Sequence, residues 1–195
     1  MESNYERYVS SILFDEKVMK YVKDVGYQWD GKHAVDKTHQ DFPELKLMQT
    51  ESECGMGAND WKHAEYIFGL INHYFRYGAN AYVYWNMALE TGGLSTWDWP
   101  QNSLVTVLPD GCVRYNPEFY VMKHFSSAVK PGAVYLKIRG PWASASSAFR
   151  NPDGSIAVIV QNAQKEEQEF TFSHEGEAFT AKLPAGSMHT FVFKE

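Results

Sequence analysis

Between residues 15 and 85 the chain alternates three times between a stretch with helical spacing and a short run suited to a pleated strand. Helical patterns at 15–22, 34–42 and 61–77 are each followed by a strand-like run, at 25–29, 45–50 and 79–85. Strands alternating with helices of this length predict parallel βα units. Asp15-Glu16 places acids at a helix start, Pro43 closes the second helix, and Gly78 stands where a C-terminal cap belongs. The third helix is the clearest, with Trp61, Ala64, Ile67, Phe68, Ile71, Tyr74 and Phe75 near a single face. A further helix is expected at 5–13. Three parallel strands alone leave two edges and at least one apolar face uncovered, so the pattern implies covering partners.

After residue 85 the pattern changes. Residues 86–103 read as a polar and aromatic loop containing Gly92-Gly93 and Trp97-Asp98-Trp99-Pro100. A hairpin is expected over 104–115 around Pro109-Asp110-Gly111, then a helix over 117–129 with proline near its start. From Ala133 to the end the chain reads as short strands and turns, with strands at 133–139, 145–150, 156–162, 168–173, 177–183 and 188–193. Runs such as Phe170-Thr171-Phe172 and Phe191-Val192-Phe193 suit a β-sandwich. A domain boundary is therefore expected near residue 131, and no internal repeat is visible.

Charge and composition remove several functions. The net charge is −6 and the basic residues are scattered, so no nucleic-acid partner is expected. No apolar run approaches the roughly 20 residues that cross a bilayer. The first residues lack the basic-then-apolar pattern of a signal peptide, which leaves the localisation of a longer parent open. Cys54 and Cys112 form no metal-ligand spacing or redox motif. Cys54 stands near Glu51, but a thiol nucleophile lacks the supporting His and Asn context. Aromatic residues make up 15% of the chain, which serves large core side chains or rings that stack on a ligand.

The chemistry concentrates at three predicted strand ends. Thr50-Glu51 closes the second strand at its C-terminal end, the end that carries active sites in α/β barrels. A carboxylate fixed there could attack an anomeric carbon. Position alone equally accommodates a solvated loop acid. Gln28-Trp29 and Trp85-Asn86 close the neighbouring strands, where rings can stack on sugar C–H faces and amides can bond hydroxyls. Each tryptophan taken singly could also be a capped core ring. The coincidence on one rim is what favours a sugar site.

These segments resemble a known family. Leu47-Met48-Gln49-Thr50-Glu51-Ser52-Glu53-Cys54-Gly55 is similar to the nucleophile strand of glycoside hydrolase family 30, the glucosylceramidase-like retaining β-glycosidases. Tyr84-Trp85-Asn86-Met87-Ala88-Leu89-Glu90-Thr91-Gly92-Gly93 resembles that family's last barrel strand and following loop. Tyr115-Asn116-Pro117-Glu118-Phe119-Tyr120, His124-Phe125-Ser126 and Lys130-Pro131-Gly132 resemble the stretch leading into its side domain. The resemblance implies α/β plus all-β architecture: about the last three βα units of a (β/α)8 barrel over residues 1–131, then a β-sandwich over 132–195. It implies Glu51 as nucleophile, Trp85 and Asn86 in the glycone pocket, Gln28 and Trp29 bordering it, and Trp97 as a loop aromatic nearby. Gln28 departs from the His expected in glucosylceramidases. Glu53 is expected to be structural or solvated.

A retaining mechanism uses two carboxyl groups about 5–5.5 Å apart. The family's second carboxylate lies within Asn-Glu-Pro after an earlier strand, and that tripeptide does not occur in these residues. The chain is thus expected to act as an incomplete enzyme, weak or inactive alone. Its expected partners are a carbohydrate and either a complementing N-terminal half or further copies in a homo-oligomer. The alternatives are a non-catalytic carbohydrate-binding unit and an inert structural remnant. No metal or organic cofactor is expected.

Overall fold

The computed structural model describes residues 5–194. Its first sheet is built from β1 (Asp24–Gln28), β2 (Lys46–Glu51) and β3 (Ala79–Tyr82), all parallel, with β2 in the centre. Leu47 and Gln49 alternate into the buried face of β2, while Met48 between them is exposed. β3 ends at Tyr82 rather than Trp85, because the ladder passes there from backbone to side chains. The Val83 N–H donates to both the carbonyl (3.0 Å) and the side-chain Oε1 (2.9 Å) of Gln49. The Trp85 N–H donates to Ser52 Oγ at 2.9 Å.

The helices that alternate with these strands form as expected at α3 (Val35–Asp41) and α4 (Trp61–Arg76). Ala64, Ile67, Phe68, Ile71 and Tyr74 make the buried stripe of α4. The first segments are more broken than a continuous helix over 5–13 and another over 15–22. A π-helical turn at Tyr5–Val9 leads into α1 (Ser10–Leu13), and α2 covers Glu16–Met19. Ser10 and Ser11 hydroxyls bond the carbonyls of Glu6 and Tyr8, a local competition that disturbs regular helix. Asp15 caps α2 by accepting from the Lys17 N–H at 2.8 Å.

Residues 86–103 are less irregular than a free loop. β4 (Ala88–Glu90) pairs in parallel with β5 (Val105–Val107), which forms the expected hairpin with β6 (Val113–Tyr115). The pairing of β4 is invisible locally, since it depends on a partner seventeen positions later. α5 (Pro117–Ala128) comes next, with Pro117 in its first turn.

The remainder is all β. β7 (Val134–Leu136), β8 (Ser146–Arg150), β9 (Ile156–Asn162) and β12 (Ser187–Phe193) form an antiparallel sheet in the order β12-β9-β8-β7. β10 (Gln168–His174) and β11 (Glu177–Leu183) form a second, antiparallel pair. β9 is buried along its whole length, as the centre of a sandwich must be. The core there comprises Ala148, Ile156, Val158, Val160, Phe170 and Leu183, with Trp142, Phe179 and Phe191 packed against it.

The chain divides into two compact units. One contains the described residues up to Asp60 with His73–Pro117; the other contains Trp61–Asn72 with the described residues from Glu118 onward. Helix α4 therefore contributes to both. No described helix is long and apolar enough to cross a membrane.

The sandwich unit carries a pH sensitivity. His124 on α5 lies with Nδ1 2.8 Å from Thr190 Oγ1 on β12, and His189 Nε2 lies 2.8 Å from Ser187 Oγ. Burial holds the His124 imidazole below its usual range, with His189 and Lys123 adding in the same direction, and burial likewise lowers His189. The unfolded chain therefore takes up protons first, near the ordinary histidine pKa of about 6.5. Stability is complete above that pH and declines as pH falls toward the lowered native values. Melting temperatures between pH 7 and pH 5 are expected to fall, and His124→Gln with His189→Gln is expected to flatten that decline.

Candidate active site

The site is assembled where β1 and β2 end. A register shift between Tyr27 and Gln28 brings Gln28 opposite Glu51. Such an irregularity bends the strand and re-aims the side chains beyond it. The next residue, Trp29, takes φ +46° and opens a 3-10 turn over Trp29–His33. Left-handed backbone is costly for a bulky residue and survives only where its surroundings hold it. Here the indole Nε1 donates to Glu51 Oε1 at 2.7 Å, and the ring lies 5.2 Å from the Trp99 ring, tilted by 45°. Trp99 in turn directs its own Nε1 onto Met56 Sδ at 2.9 Å.

The residues after Glu51 are bound to the structure on both sides. Buried Ser52 accepts from the Trp85 N–H, and a cis peptide joins Trp85 to Asn86. Asn86 Nδ2 donates to Gln101 Oε1 (3.0 Å) and to the Asn102 carbonyl (3.2 Å). Glu53 forms an ion pair with Lys32, both side chains about one-fifth exposed. Cys54 is fully buried, and burial pushes its thiol up, with the charge of Glu51 adding to that rise. A thiol raised in this way is a poor nucleophile. Gly57 adopts φ +80°, and a Cβ there would stand 2.9 Å from Pro100 Cβ, so only glycine allows the two loops this approach.

A buried polar hub supports this arrangement. Asn116 Nδ2 lies 2.8 Å from the Ser103 carbonyl, 2.8 Å from Thr106 Oγ1 and 3.1 Å from Asn59 Oδ1. Asn59 Oδ1 also accepts from the Ser103 N–H, and Asn102 Oδ1 accepts from the Gly57 N–H at 2.7 Å. Three asparagines thereby join the segment after β2 to the hairpin. Asn116→Ala would strip several buried acceptors of their donor and is expected to destabilise by about 1–3 kcal/mol. Urea unfolding at neutral pH would measure it.

Of the residues expected from sequence, Trp29 and Glu51 meet directly, and Gln28 is the register neighbour of Glu51. Trp85 is 44% exposed and is tied to the Glu51 strand through Ser52, with Asn86 next in the chain. Trp97 is 84% exposed, on a turn where Asp98 takes φ +56°. Trp29 differs from a simple rim platform, because its N–H is committed to Glu51 and its ring packs at a tilt against Trp99. Trp99, Ser52 and Gln101 are site residues that the sequence pattern does not single out. Trp99 could have been found from its place two residues after Trp97, on the same aromatic loop. Ser52 and Gln101 carry no local signal. No cluster of three or more His, Cys, Asp or Glu suited to a metal occurs among the described residues.

Comparison with known proteins agrees with this architecture. The profile of the glycosyl hydrolase family 30 TIM-barrel domain matches residues 2–129, and that of the family 30 beta sandwich domain matches residues 133–191. The chain is 24% identical over 209 residues to mouse lysosomal acid glucosylceramidase, covering 96% of this chain and 40% of that protein. The fold superposes on SrfJ from Salmonella typhimurium with a TM-score of 0.86 at 20% identity, covering 96% of this chain and 44% of the other. An endo-beta1,6-glucanase gives a TM-score of 0.81 at 22% identity, covering 95% and 44%. The chain thus spans less than half the length of these relatives. It holds the C-terminal portion of the TIM barrel together with the β-sandwich, and by both domain matches it belongs to glycosyl hydrolase family 30.

Proposed function

We propose that this chain supplies the nucleophile half of a retaining β-glycosidase active on a β-linked glucoside, xyloside or related glycan. One observation carries the reading: Glu51 ends a parallel strand at its C-terminal end, with Oε1 held by the Trp29 indole at 2.7 Å. In the reaction a Glu51 oxygen bonds to the anomeric carbon as the glycosidic C–O bond breaks, and water later hydrolyses the ester. The departing oxygen takes its proton from an acid, and the same group then activates water. Asn-Glu-Pro does not occur in these residues, so that acid comes from outside them, from the rest of a longer protein, a complementing half or another copy. Residues 1–131 are assigned to the barrel portion and 132–195 to the sandwich. Gln28, Trp85, Asn86 and Trp97 would line the sugar site. Without the acid, turnover of ordinary glycosides falls by about 10²–10⁴-fold.

The test uses a substrate whose leaving group needs no proton. A dinitrophenyl 2-fluoro-β-glucoside releases a stable phenolate, and the fluorine slows hydrolysis of the ester. Incubation should add one fluoroglycosyl group to the peptide containing Glu51, seen by mass spectrometry. Absence of labelling, with tryptophan fluorescence still quenched by glucan or xylan oligosaccharides, would instead favour a non-catalytic binding unit built on exposed Trp85 and Trp97.

A further inference from the structure

We infer that Trp29 is a positioning residue for the nucleophile rather than a sugar platform, and that Trp99 holds it in place. This rests on the reading of Glu51 as nucleophile. A carboxylate on a free side chain rotates, and either oxygen can present itself. The indole N–H at 2.7 Å binds one of them, Oε1, in a charge-assisted hydrogen bond. The second oxygen is then the one directed to attack. Once Oε2 is bonded to the anomeric carbon, Oε1 becomes the ester carbonyl oxygen. The same N–H then polarises that carbonyl group and eases departure of the carboxylate when water attacks the sugar. Trp29 thus serves both half-reactions without touching the substrate.

The indole is itself held by neighbours. Its backbone is in the left-handed region at φ +46°, directly after the register shift of β1. Its ring packs on Trp99, whose N–H is spent on Met56. Met56 and Trp99 belong to the two loops that meet at Gly57 and Pro100. The alignment of Glu51 is therefore coupled to the loop that carries Trp97. This is a contiguous physical path of packed side chains, and it makes the aromatic loop a determinant of nucleophile geometry.

Two measurements on the full chain decide the matter. In the first, the rate of labelling by the dinitrophenyl 2-fluoro-β-glucoside is measured against reagent concentration for wild type, Trp29→Phe and Trp99→Ala. Trp29→Phe keeps an aromatic face for Trp99 and removes the N–H. It should lower the limiting labelling rate about tenfold to a hundredfold, the range for losing a hydrogen bond to a charged group, with the half-saturating concentration unchanged. Trp99→Ala should lower the same limiting rate and should be non-additive with Trp29→Phe. A raised half-saturating concentration with an unchanged limiting rate would show a sugar platform and overturn the proposal, as would no change in either quantity.

In the second, the indole N–H resonance of Trp29 is assigned by nuclear magnetic resonance and compared in wild type and Glu51→Ala. It should move upfield when the carboxylate is removed. A resonance indifferent to Glu51→Ala would overturn the proposal even if Trp29→Phe failed to fold. Wild-type chain that binds the reagent but is never labelled at Glu51 would instead sink the nucleophile reading, while the indole resonance would still decide the Trp29 contact.

Discussion

Glu51→Gln is expected to abolish covalent capture of the dinitrophenyl 2-fluoro-β-glucoside. The amide keeps the shape of the side chain and an acceptor for the Trp29 N–H, so folding and sugar binding should persist. It removes the negative charge and the oxygen proposed to attack together. Removing a catalytic group of this kind lowers rates by about 10⁴-fold or more. Wild type should therefore acquire the fluoroglycosyl mass on the Glu51 peptide, and the variant should acquire none over the same interval. Labelling of the variant at any other carboxylate would assign the reaction elsewhere. Glu53 is a poor alternative, since its charge is already engaged by Lys32. Cys54 is poorer still, because its buried thiol is raised away from the reactive thiolate.

The second large effect is on stability. Phe170→Ala is expected to destabilise the sandwich unit by about 3–5 kcal/mol. Phe170 is 1% exposed, and its ring meets Trp142 edge-on at 5.4 Å and Phe191 in a stacked pair at 6.1 Å. Phe179 is 5.9 Å away across the β10–β11 pair. Truncation leaves a cavity against three rings, two of them, Phe179 and Phe191, fixed on strands β11 and β12 and the third, Trp142, on the turn before β8. Domains are stable by only about 5–15 kcal/mol, so the loss is a large part of the whole. Urea unfolding followed by circular dichroism should show an earlier midpoint, and Phe170→Leu should recover most of the difference. A midpoint within error of wild type would mean that the rings repack freely and that this cluster does not hold the sandwich.

Local pattern was enough for the elements whose cause is local. Helix α4 is legible because Ala64, Ile67, Phe68, Ile71 and Tyr74 repeat at helical spacing. The β5–β6 hairpin is legible because Pro109-Asp110-Gly111 can make its turn, with Gly111 at φ +83°. Placing Glu51 at a strand terminus needed only the strand-like segment 45–50 before it and Gly55 and Gly57 after it. Strand β4 escaped because Ala88-Leu89-Glu90 has no alternation of its own and is made a strand by Val105–Val107. The π-helical turn at Tyr5–Val9 escaped because nothing in the spacing of apolar residues distinguishes it from α-helix. In the site, Trp29 could be placed near Glu51, but its hydrogen bond depends on the shift at Tyr27/Gln28, which no residue pattern announces. Ser52, Gln101 and Trp99 take their roles from partners 33, 15 and 43 residues away, and such pairings are properties of the folded chain.

The base of the aromatic loop is closed twice. The Asn86 amide grips Gln101 and Asn102, and the Leu104 N–H returns to the Asn86 carbonyl at 3.0 Å. Below that clasp, Asn116, Asn59 and Ser103 lock the same segment to the stretch after Glu51. The loop is therefore anchored at both ends, with its exposed tip at Trp97 between them. Residues 94–98 are not independent of the Trp29–Glu51 contact: Ser95 Oγ accepts from the Trp99 N–H at 3.2 Å and the Ser95 N–H donates to the Trp99 carbonyl at 2.9 Å, so an exchange there that kept Ser95 would leave Trp99, and with it the Trp29 indole, in place.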